Sequence, residues 1–236
     1  RPDYTVNSYM VSIGGKNLTS AEFYRVLYRG EPVNLQGDAL RKVKTNFDFL
    51  NSYSRDKVIY GINTGLGPMA QYKISEEDQQ QLQYNLIRSH SSGSGEIFSE
   101  DISRATMLAR LNSLMQGASG IHPDAVELIT NLLNKNISAC IFERGGVGAS
   151  GDLVQLAHLA LNLIGEGEVL FQGKLIPANT AYASENISPL RVHLREGLAL
   201  MNGTSAMTGV GMVNLIHAKI LLNCAVMLSA VTNELM

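Results

Sequence analysis

The sequence predicts a mainly α-helical fold, a buried helical bundle with a small β-containing N-terminal cap region that carries reactive loops at one end. Apolar residues recur at helical spacing along most of the chain, and the strand-like runs are short. A 45% hydrophobic content over 236 residues supports a substantial core, in one large domain or two small ones. A net charge of -2 and a pI near 6.2 leave no basic stripe for phosphate contacts. Nucleic acid and an anionic membrane surface are therefore excluded as main partners, and small neutral or zwitterionic ligands remain.

Taken in order, Tyr9 to Ile13 reads as a short strand, followed by a turn at Gly14-Gly15-Lys16-Asn17. Thr19 or Ser20 caps a helix through Leu27, which Gly30 and Pro32 end. From Asp38 to Tyr53 a second helix places Leu40, Val43, Phe47 and Leu50 on one face. Tyr60 to Gly67 breaks all periodicity with three glycines before Pro68, as functional loops do. A third helix opens on the capped acidic turn Ser75-Glu76-Glu77-Asp78 and runs towards Arg88, ending in a polar loop from Ser89 to Gly95. Helices follow over Ser99 to Gln116, with Ile102, Ala105, Leu108 and Ala109 inward, and over Pro123 to Lys135. Ile137 to Phe142 is a weak strand candidate, and Leu153 to Ile164 is an apolar helix capped by Ser150 or Asp152. Glu168 to Ile176 forms a hairpin about Gln172-Gly173. Asn202 caps the long final helix, which reaches Met236. The apolar stretch Val210 to Val231, interrupted by Asn214, His217, Lys219 and Asn223, reads as a buried helix with a polar stripe and not as a membrane span. Cys140 and Cys224 sit in apolar runs as buried thiols, with no Cys-x-x-Cys or His-rich spacing to suggest a metal site.

The chemistry concentrates in Gly145-Gly146-Val147-Gly148-Ala149-Ser150-Gly151-Asp152. Gly146 to Gly151 fits Gly-x-Gly-x-x-Gly as letters, but no βαβ alternation surrounds it, so a nucleotide loop lacks its context. A plain helix start is compatible with any further role. The third reading is chemical. In Ala149-Ser150-Gly151 the amide nitrogen of Gly151 can attack the carbonyl of Ala149, because no Cβ at 151 blocks the approach. Ring closure loses one water and elimination of the Ser150 hydroxyl a second, leaving a methylidene-imidazolone. A helix starting at Asp152 or Leu153 directs its positive end at this electrophile. Ala118-Ser119-Gly120 is a second copy of the tripeptide, so the three letters alone do not assign the chemistry.

Context separates the copies. Gly-Gly-Val-Gly-Ala-Ser-Gly-Asp-Leu from Gly145 resembles the prosthetic-group motif of the aromatic amino-acid ammonia-lyases, the histidine, phenylalanine and tyrosine ammonia-lyases. The resemblance runs through Tyr60-Gly61-Ile62-Asn63-Thr64-Gly65-Leu66-Gly67, Asn85-Leu86-Ile87-Arg88-Ser89-His90 and Glu196 to Thr204, in the family's order. The Ala118 copy falls in the family's ordinary Gly-x-Ser-Gly turn. The resemblance implies a methylidene-imidazolone cofactor formed from Ala149, Ser150 and Gly151, with Asp152 assisting dehydration and no metal. It implies Tyr60 as catalytic base, where the residue taken alone reads as a core tyrosine with its hydroxyl at the rim. Gly61, Ser89, His90, Leu153 and Asn202 fall at the substrate, His90 against the aromatic side chain and Asn202 on ring or carboxylate.

The implied reaction is non-oxidative removal of ammonia from L-tyrosine or L-histidine to give the α,β-unsaturated acid. Ser89-His90 matches the histidine-lyase pattern. Asn202-Gly203-Thr204-Ser205 and Asp152-Leu153-Val154-Gln155-Leu156 depart from it and resemble a bacterial tyrosine branch, towards which the reading leans. A tyrosine 2,3-aminomutase with the same group is one alternative, and a catalytically silent, self-associating helical fragment is another. The resemblance covers the N-terminal half of such an enzyme, about 1–200 holding the reactive loops and about 201–236 the start of a long central helix. The expected partners are a small aromatic amino acid and further copies of the chain, a tetramer in the family. With no secretory signal at Arg1, the expected location is a reducing cytoplasm.

Overall fold

The structure, a computed structural model, describes residues 10–54, 57–65, 72 and 74–236. Tyr9, Leu66 and Gly67 of the expected strand and loop lie outside the described residues. The element order is β1 (Val11–Ile13), α1 (Ser20–Tyr28), β2 (Val33–Leu35), α2 (Gly37–Tyr53), α3 (Glu76–His90), β3 (Ser94–Ile97), α4 (Glu100–Leu114) and α5 (Pro123–Asn134). It continues with β4 (Ile137–Ala139), β5 (Phe142–Arg144), α6 (Leu153–Leu163), β6 (Glu168–Phe171), β7 (Lys174–Pro177), α7 (Ala178–Ser184), α8 (Glu196–Met201) and α9 (Ser205–Leu235). The fold is mainly α, as predicted. Its strands are not confined to the N-terminal cap, because short pairs recur between the helices.

The core is built around α4, whose residues Ser103 to Leu111 are all buried. Ala105, Leu108 and Ala109 face inward as their spacing predicts, while Ile102 is only partly covered. The opposite side of α4 is closed by α9: a Cβ at Gly209 would lie 2.6 Å from the Thr106 nitrogen, so the two helices touch backbone to backbone. Helix α1 begins at a full capping box, with Thr19 Oγ1 accepting from Glu22 N at 3.2 Å and Glu22 Oε2 accepting from Thr19 N at 2.9 Å. Pro123 opens α5 as the helix's first residue, where its missing N–H costs nothing.

Several short elements depart from the expectations. Strand β2 pairs in parallel with β1, Val11 opposite Val33, and the Asn134 side chain both accepts from Val33 N at 2.8 Å and donates to Val33 O at 2.9 Å. Strand β3 pairs antiparallel with β5 across a bulge. The weak strand candidate over Ile137 to Phe142 resolves into β4, which joins the predicted β6–β7 hairpin, and the separate β5. Ser89 and His90 do not lie in a loop. Helix α3 continues to His90 because Ser89 Oγ donates to Leu86 O and Ser91 Oγ to Ile87 O, satisfying the carbonyls of the last turn. Cys140 is buried, but Cys224 is exposed because it lies on the part of α9 that projects beyond α4. The same projection corrects the reading of Val210 to Val231 as a buried helix, since no residue of α9 beyond Ile216 is buried.

Candidate active site

The glycine-rich run leaves β5 at Arg144 and lies flat on the first turns of α6. Gly145, at φ +129°, would place a Cβ 2.9 Å from Val154 Cγ1, and Gly146 would place one 2.6 Å from Gln155 Oε1. At Gly145, where the same Cβ would also stand 3.2 Å from Gly93 Cα, the positive φ and the close backbone call for a residue without a side chain, whereas at Gly146 the flexible Gln155 end could move aside. The run then doubles back: Gly148 and Ala149 both bridge to Gly151, and Gly151 bridges onward to Gly203. At φ +73°, a Cβ on Gly151 would stand 2.2 Å from Gly203 O. Ala149 and Ser150 are exposed at the tip of this turn, and Gly151 and Asp152 are half-buried at its base.

Two helices start at this base. Asp152 occupies the N-cap of α6, but neither its side chain nor that of Ser150 caps that helix, contrary to expectation. Asp152 instead ties the turn to α9: its N–H donates to Gly203 O at 2.8 Å, and its Oδ2 accepts from Met207 N at 2.8 Å. The carboxylate thus caps α9 from another element, a role the N-cap residue Thr204 leaves unfilled. Asn202 is not the cap of α9 but the residue closing α8, its Nδ2 donating to Leu198 O at 3.1 Å, with the side chain exposed. The positive ends of α6 and α9 therefore converge beside Ala149, Ser150 and Gly151.

Beneath the turn lies Arg110 of α4. Its guanidinium donates to Ala199 O, would meet a Cβ on Gly203 at 2.5 Å, and sits within electrostatic reach of Asp152. Burial pushes its pKa down to about 10, and the Asp152 charge partly offsets that. It stays cationic at neutral pH and adds to the positive potential of the two helix ends. No motif in the sequence marks Arg110, but a signal is present: it falls on the stripe Met107, Leu111, Leu114, where an inward charge demands partners. Residues of the glycine run, Asp152, Gln155 and Met207 line an open depression of about 430 Å³.

The remaining candidates lie on α3 or on the loop bonded to it. Gly61 N–H donates to Thr64 Oγ1 at 3.3 Å, and Gly61 O accepts from Gln83 Nε2 of α3 at 3.4 Å. Gln83 in turn packs against α8, where a Cβ on Gly197 would lie 2.8 Å from Gln83 O. Tyr60 is 52% exposed on this loop, so the reading of it as a core residue does not hold. Ser89 and His90 close α3, and His90 Nδ1 must carry a proton, because it lies 2.9 Å from Leu86 O, which can only accept. With Nδ1 engaged there, Nε2 is the ring nitrogen left for another partner. Three residues after His90 the chain is pinned to α6 by the Gly93 N–H, which donates to His158 Nε2 at 3.0 Å. Leu153, half-buried, opens α6 against the core. The fold thus joins Ala149 to Leu153 to the Asn202–Gly203 corner, and it hangs Tyr60, Gly61, Ser89 and His90 on α3, which packs against α6 and α8. The second tripeptide copy is an ordinary turn, with Gly120 N–H donating to Asn46 Oδ1 at 2.7 Å.

The chain is similar to known proteins along most of its length. The histidine ammonia-lyase of Geobacillus sp. (strain WCH70) is 43% identical over 226 residues, which is 95% of this chain and 44% of that protein. The crystal structure of tyrosine aminomutase from Streptomyces globisporus superposes with a TM-score of 0.80 at 38% identity, over 86% of this chain and 38% of the other. Pantoea agglomerans phenylalanine aminomutase superposes with a TM-score of 0.84 at 34% identity, over 92% and 42%. The chain spans less than half the length of these relatives. The sequence profile described as aromatic amino acid lyase matches residues 18–236, taking in α3, the glycine turn and the whole of α9. On that match and those identities, the chain belongs to the aromatic amino acid lyase family.

Proposed function

We propose that this chain carries the reactive turn of an ammonia-lyase that removes ammonia, without oxidation, from an aromatic L-amino acid whose ring bears a hydrogen-bond donor, tyrosine or histidine. The observation that carries this reading is the doubled-back Ala149-Ser150-Gly151 turn at the convergent N-termini of α6 and α9, where Gly203 O leaves no space for a Cβ at 151. Such a turn fits a methylidene-imidazolone made from those three residues, since the cyclisation needs the backbone of 149 and 151 folded together and no side chain at 151. When formed, that group supplies the electrophile that turns the substrate amine into a leaving group. The α6 and α9 ends and Arg110 favour the negative charge that develops beside it.

The other roles follow from the atoms each residue presents. Tyr60, exposed on its loop, removes the β-proton, which is barely acidic, so positioning and charge stabilisation supply most of the acceleration. Asn202 uses one Nδ2 hydrogen on Leu198 O and keeps a second for the substrate carboxylate. His90 offers Nε2 to a phenol O–H or an imidazole N–H, which is why the reading names both substrates. Histidine is the substrate in the name of the Geobacillus relative, and tyrosine in that of the Streptomyces structure. That structure is an aminomutase, which supports a second reading in which the amine is re-added at the β-carbon.

Intact mass provides the test. The chain is expected two waters lighter than its sequence, and Ser150→Ala is expected at its full sequence mass, with no deamination of tyrosine or histidine by the whole protein. A Ser150→Ala protein that deaminates at the wild-type rate overturns the proposal. Accumulation of a β-amino acid in place of the unsaturated acid assigns the mutase.

A further inference from the structure

At the start of α8, the end away from Gly203, the fold brings together His122, Asp124 and His193, although no spacing in the sequence announces them. Their ligand atoms all lie within 4.8 Å of one another, and His122 Nδ1 is 3.2 Å from Asp124 Oδ2. We propose that these three residues form a binding site for a zinc-like divalent transition ion, which clips the N-terminus of α5 to the segment entering α8. Two imidazoles and one carboxylate are the donor set of such ions, with a fourth position left to water.

The backbone that carries the ligands is already fixed. Glu196, fully buried, accepts from His122 N at 2.7 Å through Oε1 and from His193 N at 2.6 Å through Oε2, so one carboxylate holds both histidine-bearing segments. Phe47 of α2 stands edge-on to both rings, 4.8 Å from His122 and 6.2 Å from His193, and the two imidazoles lie 5.1 Å apart. A tetrahedral ion about 2.1 Å from each ligand holds its donors roughly 3.4 Å apart, so side-chain rotation of about an ångström closes the site. The bond from Asp124 N–H to His122 Nδ1, at 3.2 Å, is long enough to yield to an ion. Arg191 and the α5 N-terminus oppose a cation here, and Asp124 offsets them. The clip lies apart from the deamination chemistry. It braces the segment that runs through α8 to Asn202 and Gly203, and it stands whether or not the proposed reaction does.

Cobalt(II) is a visible probe for a zinc-like site. The metal-free 236-residue chain is expected to bind one Co²⁺ and to develop the intense visible bands of a four-coordinate ion. His122→Asn, His193→Asn and Asp124→Asn are each expected to weaken binding at least about tenfold, as the loss of even an outer-shell partner does. These variants keep the Glu196 bonds, which use main-chain N–H groups, and their far-UV circular dichroism should match the parent. A second readout needs no variant: bound Co²⁺ should displace the imidazole proton resonances of two histidines, His122 and His193. Displacement of the His90, His158 or His217 resonances instead, binding by all three variants as tight as the parent's, or no binding up to about 1 mM Co²⁺ overturns the proposal.

Discussion

His158 shows how one side chain sets the order of the loop that follows the α3 frame. Its Nε2 accepts the Gly93 N–H at 3.0 Å, which requires that nitrogen to be unprotonated. A Cβ on Gly93 would lie 2.7 Å from the same atom, so ring and backbone are in direct contact. Burial lowers the His158 pKa below its ordinary 6.5. Because the folded value is depressed, the unfolded chain binds more protons below that ordinary pKa, and stability is lost as pH falls from there through the folded value. Burial raises the Glu196 pKa to about 7, which opposes this trend over the same range in every variant, so the effect is read as a difference. From pH 7 to pH 5 the wild-type urea midpoint is expected to fall relative to that of His158→Gln, which keeps an acceptor and removes the titration. Equal slopes in the two proteins would show that His158 does not carry the effect. The motif residues were legible at this scale because each is a letter in a string. The His158–Gly93 contact was not, since it joins residues from elements whose pairing no local pattern encodes.

Elements were legible in proportion to their length and their independence of distant partners. Helix α5, with Pro123 first and a periodic apolar face, was read to within a residue of its observed end. Strands β2, β3 and β5, of three or four residues, exist through pairing with distant segments, and α7 and α8 are too short to show a period. The cap of α9 was illegible for the same reason. The local reading chose Asn202, but the donor of Met207 is satisfied by Asp152 Oδ2, a residue that neighbours α9 only in the fold. Removing that carboxylate in Asp152→Ala is expected to cost about 0.5 to 2 kcal/mol, the range of a lost N-cap, and to abolish hydrogen-exchange protection of the Met207 amide. Asp152→Asn keeps an oxygen acceptor and should retain the protection. If Met207 remains protected in the alanine variant, Asp152 is not the cap and its carboxylate is free for a chemical role alone.

At the scale of the whole molecule, the apolar surface of α9 is covered along only part of its length by the described residues. Its buried residues are Ser205, Ala206, Gly209, Val213 and Ile216, all in the half that rests on α4. Beyond them Leu221, Leu222, Val226, Met227 and Leu228 are each more than 60% exposed. The helix is long and apolar enough to cross a membrane by length and composition. Two observations favour protein over lipid as its cover. The helix is already docked by its first half, with Lys219 Nζ donating to Ser20 Oγ at 2.8 Å and His217 Nε2 3.2 Å from the Tyr28 hydroxyl. Asn214, His217, Lys219 and Asn223 also interrupt its apolar surface. Burying a leucine or methionine contributes about 1.5 to 3 kcal/mol, so covering even three of the five exposed side chains amounts to several kcal/mol in favour of association. Self-association through this half of α9 is thus the expected state, and light scattering of the chain should return a multiple of its 25.6 kDa mass. Leu221→Glu with Leu228→Glu places charges in that surface without touching the half of α9 packed on α4. The double variant should shift the scattering mass towards the monomer with its helix content unchanged, whereas a wild-type chain that is monomeric, or a variant that associates as before, would show that this helix is not what joins the copies.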